Sequence, residues 1–496
     1  MPKPVEMTVH PEKDRHTVSP FLYSQFAEHL GRCIYEGVWV GEDSEIPNED
    51  GIRLDTVAAL KKLKIPALRW PGGCFADNYH WRDGIGPRKK RPKRHNLWWN
   101  QPESNQFGTD EFMRLCGLID TEPYICLNVG SGTVDEARSW VEYCNSDWSS
   151  AIVDERVRNG HPEPYGVKFW GIGNENWGCG GNMRPEHYAD LYRQFATYVR
   201  NTAGNGAKLV ACGSHQEIPE WDERFLKSLK DFNSLGTVDY LALHIYNPGG
   251  SDTKFSDKDY AKTIEFVDLV EKTINRAIDL VRSYSSSGHK IGVVLDEWGL
   301  WYAEPTTEHG SFQQNTMRDA LYAAACFHRF HRQSDWLYMT NMAQTINVLQ
   351  ALVLTRNGEM TVTPTYHVYD MFRPHRSGIL VESEVRNSPS LDAAESDGPK
   401  ALSLSATKSQ DGKELFLSVL NLDLDAGIES PIRIDAATTW EIEEIRRLVS
   451  GNIRDHNTFE NPDQVKPIAV SPEQAGTGLR IEFPAHSITT IRLKTV

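Results

Sequence analysis

The strongest constraint on the fold is a change of hydrophobic period near residue 375. Before it, from about residue 18 to 370, short apolar runs alternate with longer amphipathic stretches, the pattern of repeated βα units. Eight strands are expected: 23–30, 65–73, 123–130, 167–175, 208–215, 238–246, 291–298 and 335–343. Between them, segments such as 53–63, 135–144, 184–200 and 258–285 carry apolar residues at helical spacing. Eight strands with intervening helices predict an α/β chain whose residues 18–374 form a (β/α)8 TIM barrel. After residue 375 only alternating segments remain, including 401–407, 414–422, 432–436, 438–448, 479–483 and 488–494, separated by Gly, Asp, Asn and Pro. They predict a C-terminal antiparallel β-sandwich, jelly-roll-like, over residues 375–496. A first alternating stretch, VEMTVH at 5–10, has no partner in the barrel. Residues 1–17 are therefore expected to join the C-terminal sheet and bring the chain ends together.

Composition narrows the function. With 53 basic against 68 acidic residues the formal net charge is −15, which argues against a nucleic-acid backbone or an anionic membrane as partner. No apolar run approaches the roughly 20 residues needed to span a bilayer. The first twenty residues contain no apolar signal-peptide core, so a cytoplasmic location is expected. The eight cysteines are scattered without a CxxC pair or a zinc-site array, so no zinc site is implied and buried free thiols are the default expectation.

In a barrel of this kind, chemistry gathers where strands end at the C-terminal face. Those ends carry Glu28, Arg69, Asn128, Asn174 with Glu175, His215, His244 with Tyr246, Glu297 with Trp298, and Gln344. One polar residue at a strand end is ordinarily a solvated loop residue, but so many on consecutive strands point to a site. Glu175 closes the fourth strand and Glu297 the seventh, on opposite sides of the ring. Two facing carboxyl groups, one an acid and one an anion, are what glycoside hydrolysis requires. Tyr246 is placed to donate a hydrogen bond to Glu297. The competing explanation is an ion pair of either glutamate with a nearby Arg or Lys. Trp70, Trp81, Trp98, Trp99, Trp177, Trp298 and Trp301 lie in or beyond these ends, where a sugar face could rest on a ring; about half are expected to be core.

The segments FAEHLGRCIYEGVWVG (26–41), LRWPGGCFADNYHWRDGIGPRKKRP (68–92), FWGIGNENWGCGGNM (169–183), LALHIYNP (241–248) and LDEWGLWY (295–302) resemble the α-L-arabinofuranosidases of glycoside hydrolase family 51. The Asn-Glu at strand four with a Glu at strand seven is shared by a wider clan of retaining barrels. FAEHLGR together with PGG…YHW…DGIGPR is far more specific. The resemblance implies Glu175 as general acid/base and Glu297 as nucleophile. It implies Asn174 at the sugar 2-hydroxyl and Glu28 at other hydroxyls, with Arg69, His244, Tyr246, Gln344 and Trp301 completing the pocket. It further implies removal of terminal arabinofuranosyl groups from arabinoxylan, arabinan or their oligosaccharides, no cofactor, and a homo-oligomer, a hexamer built as a trimer of dimers. Two other functions compete: an endo-β-glucanase or β-xylosidase on the same scaffold, and an inactive sugar-binding protein.

The sequence departs from the family pattern at position 74, where many members carry an Asn that touches the sugar and this chain has Cys. Cys179 stands only four residues beyond Glu175, so Cys74 and Cys179 are candidates to meet beside the sugar site. The basic run GPRKKRPKR (86–94) is a nucleic-acid or targeting signal if read alone. Its prolines and its position after the second strand favour a solvated loop on the active-site side, or a contact between subunits.

Overall fold

The computed structural model describes residues 4–204, 206–302, 311–391, 399–471, 473–475 and 478–496. Eight parallel strands close into a barrel: Ser24–Phe26, Ala67–Trp70, Glu122–Leu127, Phe169–Ile172, Lys208–Ala211, Tyr240–Asn247, Gly292–Leu300 and Leu337–Ala343. Each pairs with the next, and the eighth returns to the first through Asn341↔Ser24, Met342↔Gln25 and Ala343↔Phe26. Every strand falls within or across a segment expected from its apolar run. Helices at Leu54–Leu63, Val134–Asn145, Pro185–Ala203 and Asp257–Tyr284 follow the predicted amphipathic stretches to within three residues at either end. They start where local chemistry favours it. Thr133 and Ser256 accept from the backbone N–H three residues on, and Pro185 opens its helix with a fixed φ and no amide to satisfy.

The barrel lumen is a packed plug, not a pore. Ala67, Tyr124, Phe169, Val210, Ala242, Val294 and Met339, from seven of the strands, form one buried cluster. A second, larger cluster fills the space between strands and helices.

Ten further strands form one sheet in the order 468–469, 440–448, 487–495, 414–421, 402–408, 379–386, 6–17, 428–434, 478–483, 473–475, and three short two-stranded hairpins lie outside both sheets. Its apolar face buries Met7, Val9, Leu404, Leu417, Ile432, Phe483 and Ile491 in a core of its own. The first strand, Glu6–Thr17, lies inside this sheet. It is antiparallel to Ile379–Arg386 and parallel to Ile428–Ile434, so the otherwise antiparallel sheet has one parallel pair. Among the described residues no helix is long and apolar enough to cross a membrane.

Candidate active site

The strand ends converge on Arg69, at the end of the second strand and fully buried. Its guanidinium lies over the Phe26 ring, 4.6 Å from the centroid. It donates to Glu297 Oε1 at 2.8 Å and to Asn174 Oδ1 at 2.7 Å, and lies 3.2 Å from Asp296. A buried cation is stable only with anions at hand. Burial disfavours its charge, but Asp296 and Glu297 overcome that and raise its pKa well above the usual arginine value.

Two adjacent acidic residues can both face inward here because strand seven bulges. Leu243 pairs with Leu295, yet His244 pairs with Glu297, so Asp296 is an extra residue in the ladder. A bulge of this kind re-aims side chains next to functional sites. Asp296 turns into the lumen, accepting from the Tyr124 hydroxyl and the Asn341 amide at 2.8 Å each. Glu297 points at the cleft.

The two candidate carboxylates have unequal surroundings. Glu297 accepts from Arg69 and, at 2.8 Å, from the Tyr246 hydroxyl, with His244 Nδ1 3.6 Å away. Burial alone would raise its pKa, but His244, Arg69 and the Tyr246 hydrogen bond lower it below the ordinary glutamate value. Glu175, in a left-handed backbone conformation at φ 43°, places Oε1 2.8 Å from His244 Nδ1. Its Oε2 lies against two sulfurs, Cys179 Sγ at 3.4 Å and Cys74 Sγ at 3.8 Å. Those sulfurs are joined in a disulfide, with Cα atoms 5.6 Å apart, so they have no proton to donate. Nδ1 faces both carboxylates; burial opposes a charge on His244, while Glu297 and Glu175 raise its pKa.

Glu28 accepts the Gly73 and Phe75 amides on Oε1 at 3.1 Å each and the Gln344 amide on Oε2 at 3.0 Å. Despite these donors, burial and the charge on Glu297 push its pKa up to about 7. The Trp99 indole faces the same carboxylate. Gly73 is required by this crowding: a Cβ there would stand 2.8 Å from Glu297 Oε1. Trp301, 36 % exposed, meets the Tyr246 ring edge-on at 5.2 Å between centroids.

One residue absent from the sequence expectations organises the cleft from below. Asp77 accepts the Val129 and Gly130 amides on one oxygen, at 2.7 Å each, and the Asn174 amide on the other at 2.9 Å. It thereby ties the loop after strand two to those after strands three and four. Burial raises its carboxyl to about 7. Gly180 must lack a side chain beside it, since a Cβ would fall 2.4 Å from Asp77 Oδ2.

Not every polar strand end joins the site. Asn128 accepts from the Ser131 and Gly132 amides and so shapes its own turn. His215 packs on Trp177 at 4.5 Å between centroids and touches neither carboxylate. Trp70, Trp81 and Trp298 are core. Glu175, His244 and Glu297 place one ligating atom each within 4.8 Å of one another. Arg69 already supplies the positive charge at Glu297, so this trio is poorly suited to a metal.

Comparison with known proteins fits this geometry. Residues 296–487 match the family description of the α-L-arabinofuranosidase C-terminal domain, and residues 59–262 that of the α-L-arabinofuranosidase 1 domain. An intracellular exo-α-L-arabinofuranosidase of Bacteroides ovatus is 41% identical, covering 99% of this chain and 96% of its own. The chain belongs to the α-L-arabinofuranosidases of glycoside hydrolase family 51. A family 51 arabinofuranosidase from Xanthomonas axonopodis pv. citri superposes with TM-score 0.92 at 36% identity, over 99% of this chain and 100% of that one. The arabinose complex of the Thermotoga maritima α-L-arabinofuranosidase gives 0.87 at 32%, over 99% and 100%. This arabinofuranosidase is thus a glycoside hydrolase.

Proposed function

We propose that the enzyme releases terminal non-reducing α-L-arabinofuranosyl groups from arabinoxylan, arabinan or derived oligosaccharides by double displacement with retention. The observation that carries the mechanism is the pair of carboxylates from strands four and seven, with oxygens within 4.8 Å of each other. Retaining hydrolysis uses carboxyl groups about 5–5.5 Å apart, whereas inversion needs about 6.5–9.5 Å.

The unequal surroundings divide the roles. Glu297, kept ionised by Arg69 and Tyr246, attacks the anomeric carbon, and the bond to the leaving oxygen breaks. Glu175 gives that oxygen its proton. Oε2 of Glu175, pressed against a disulfide with no donor, is the oxygen free to carry it. In the second half, Glu175 takes a proton from water, the water attacks the anomeric carbon, and Glu297 leaves as the anion. His244, hydrogen-bonded to Glu175, keeps the acid/base oriented through both halves. Asn174, held by Arg69 and Asp77, offers its amide to the sugar. Glu28 with Gln344 receives other hydroxyls, Trp301 offers a ring face, and Cys74 replaces an amide contact with the apolar disulfide.

The test is turnover of aryl α-L-arabinofuranoside beside aryl β-D-xyloside and β-D-glucoside. Wild type should favour the arabinofuranoside, and Glu297→Ala should be inactive. Glu175→Ala should lose about 10²–10⁴-fold on poor leaving groups and recover with azide on an activated one. An inverted first product, or azide rescue in Glu297→Ala but not Glu175→Ala, would overturn the assignment.

A further inference from the structure

The basic run at 86–94 divides into two kinds of cation. Arg91 is nearly buried; it binds the Glu111 carboxylate and the carbonyls of Gly86, Asn105 and Gln106. Arg88 is matched by Glu42 and Glu111, and Arg94 by Asp83. These arginines staple the loop to the barrel. Lys89, Lys90 and Lys93 are exposed and meet no ion-pair partner among the described residues. They stand exposed beside an arginine-anchored backbone, on a protein whose net charge is −15.

The loop leads into an element that does reach the cleft, the hairpin Arg94–Asn96 and Gln101–Glu103. Asn96 donates to the His29 carbonyl, Gln101 accepts the Gly31 amide, and Trp99 faces Glu28. On the same tip Leu97 is 59 % exposed and Trp98 39 % exposed, apolar faces of the kind a sugar ring can cover.

We propose that this loop binds the carboxylates of a uronic-acid-bearing polysaccharide, so that the enzyme prefers arabinofuranosyl groups carried on acidic chains. The inference rests on the arabinofuranosidase reading and adds a substrate class to it. Three unpaired ammonium groups beside an apolar sugar platform complement a chain of rings with occasional negative charges. A polyanion such as nucleic acid would meet repulsion from the rest of this acidic surface. An exposed lysine–carboxylate pair contributes little singly and is screened by salt.

The experiment compares kcat/KM on two arabinose-substituted xylo-oligosaccharides differing by one glucuronic acid unit, for wild type and Lys89→Gln/Lys90→Gln/Lys93→Gln. At low salt the wild type should favour the acidic substrate about two- to fivefold. The triple variant and 0.5 M NaCl should each bring the ratio close to one. Turnover of aryl α-L-arabinofuranoside, which has no acidic neighbour, should be equal in both proteins. Loss of that turnover in wild type would instead count against the function itself. A ratio near one in wild type, or a preference surviving the triple substitution, overturns the proposal. So does a change in solution size of the variant with the ratio unaltered, which would assign the lysines to a contact between copies.

Discussion

At the scale of single residues, the two carboxylates of the site differ in their neighbours: Glu297 faces Arg69, His244 and the Tyr246 hydroxyl, whereas Glu175 faces His244 and a disulfide. Tyr246 isolates one contribution, because its hydroxyl touches Glu297 at 2.8 Å and its ring touches Trp301. Tyr246→Phe keeps the ring and removes the donor. A hydrogen bond to a charged group contributes about 1.5–3 kcal/mol, so kcat/KM should fall roughly 10- to 100-fold with little change in melting. The acidic limb of the pH profile should also move upward, because the lost donor favoured the anion. An unmoved limb would show that Arg69 and His244 set the ionisation alone. Glu175, Glu297 and Arg69 were legible from their place at strand ends. Asp77 was not: it lies in a loop with no period, and its role consists of backbone amides that sequence does not display. Asp296 was visible beside Glu297, but in an ideal strand it would face away; only the bulge turns it inward. Asn128 and His215 show the opposite error, polar strand ends spent on local turns and packing.

At the scale of elements, the eight strands were readable because buried parallel strands are short apolar runs, and strand count with helix spacing fixes the barrel. Register and closure were not readable, since they depend on pairings such as Asn341↔Ser24 across more than 300 residues. The same holds for the parallel contact of Glu6–Thr17 with Ile428–Ile434, because alternation gives a strand two faces but no direction. The Cys74–Cys179 bond joins the loops after strands two and four, 105 residues apart in sequence. Removing such a link typically costs about 2–4 kcal/mol. Cys74→Ser/Cys179→Ser should therefore melt several degrees below wild type. It should also have a lower kcat, since both loops carry site groups. Thiol titration of unfolded wild type should give six groups before reductant and eight after, given the six free cysteines. Eight before reductant, or equal melting midpoints, would count against the link.

At the scale of the whole molecule, the barrel and the ten-stranded sheet meet over buried histidines. His328 contacts the hydroxyls of Ser403 and Ser418, His331 those of Ser405 and Tyr23, and His375 that of Thr407. His331 and His375 lie 4.9 Å apart between ring centroids. Arg329 and Arg332 face His328 with positive charge, and Arg332 and His16 face His331. Burial, more than these charges, drives all three pKa values down, that of His375 to about 3. Each therefore stays neutral in the folded protein at pH values where the unfolded chain, with histidines near 6.5, binds a proton. Stability from this source is present above about pH 6.5 and is lost as pH falls below it. Wild type should nevertheless show only a shallow pH dependence between about 6.5 and 4.5. Over that range Glu28, Asp77 and Asp222, each raised to about 7 by burial, hold protons in the folded state that the unfolded chain has released, and they offset the histidines. The histidine contribution emerges by difference. His375→Gln can keep the hydrogen bond to Thr407 but takes up no proton on unfolding. Its stability relative to wild type should rise by about 1.4 kcal/mol for each pH unit below 6.5, measured by urea unfolding at pH 7.5, 6.5, 5.5 and 4.5. A difference that does not vary with pH would mean that His375 is charged in the folded protein, and that the interface is not built on neutral imidazoles.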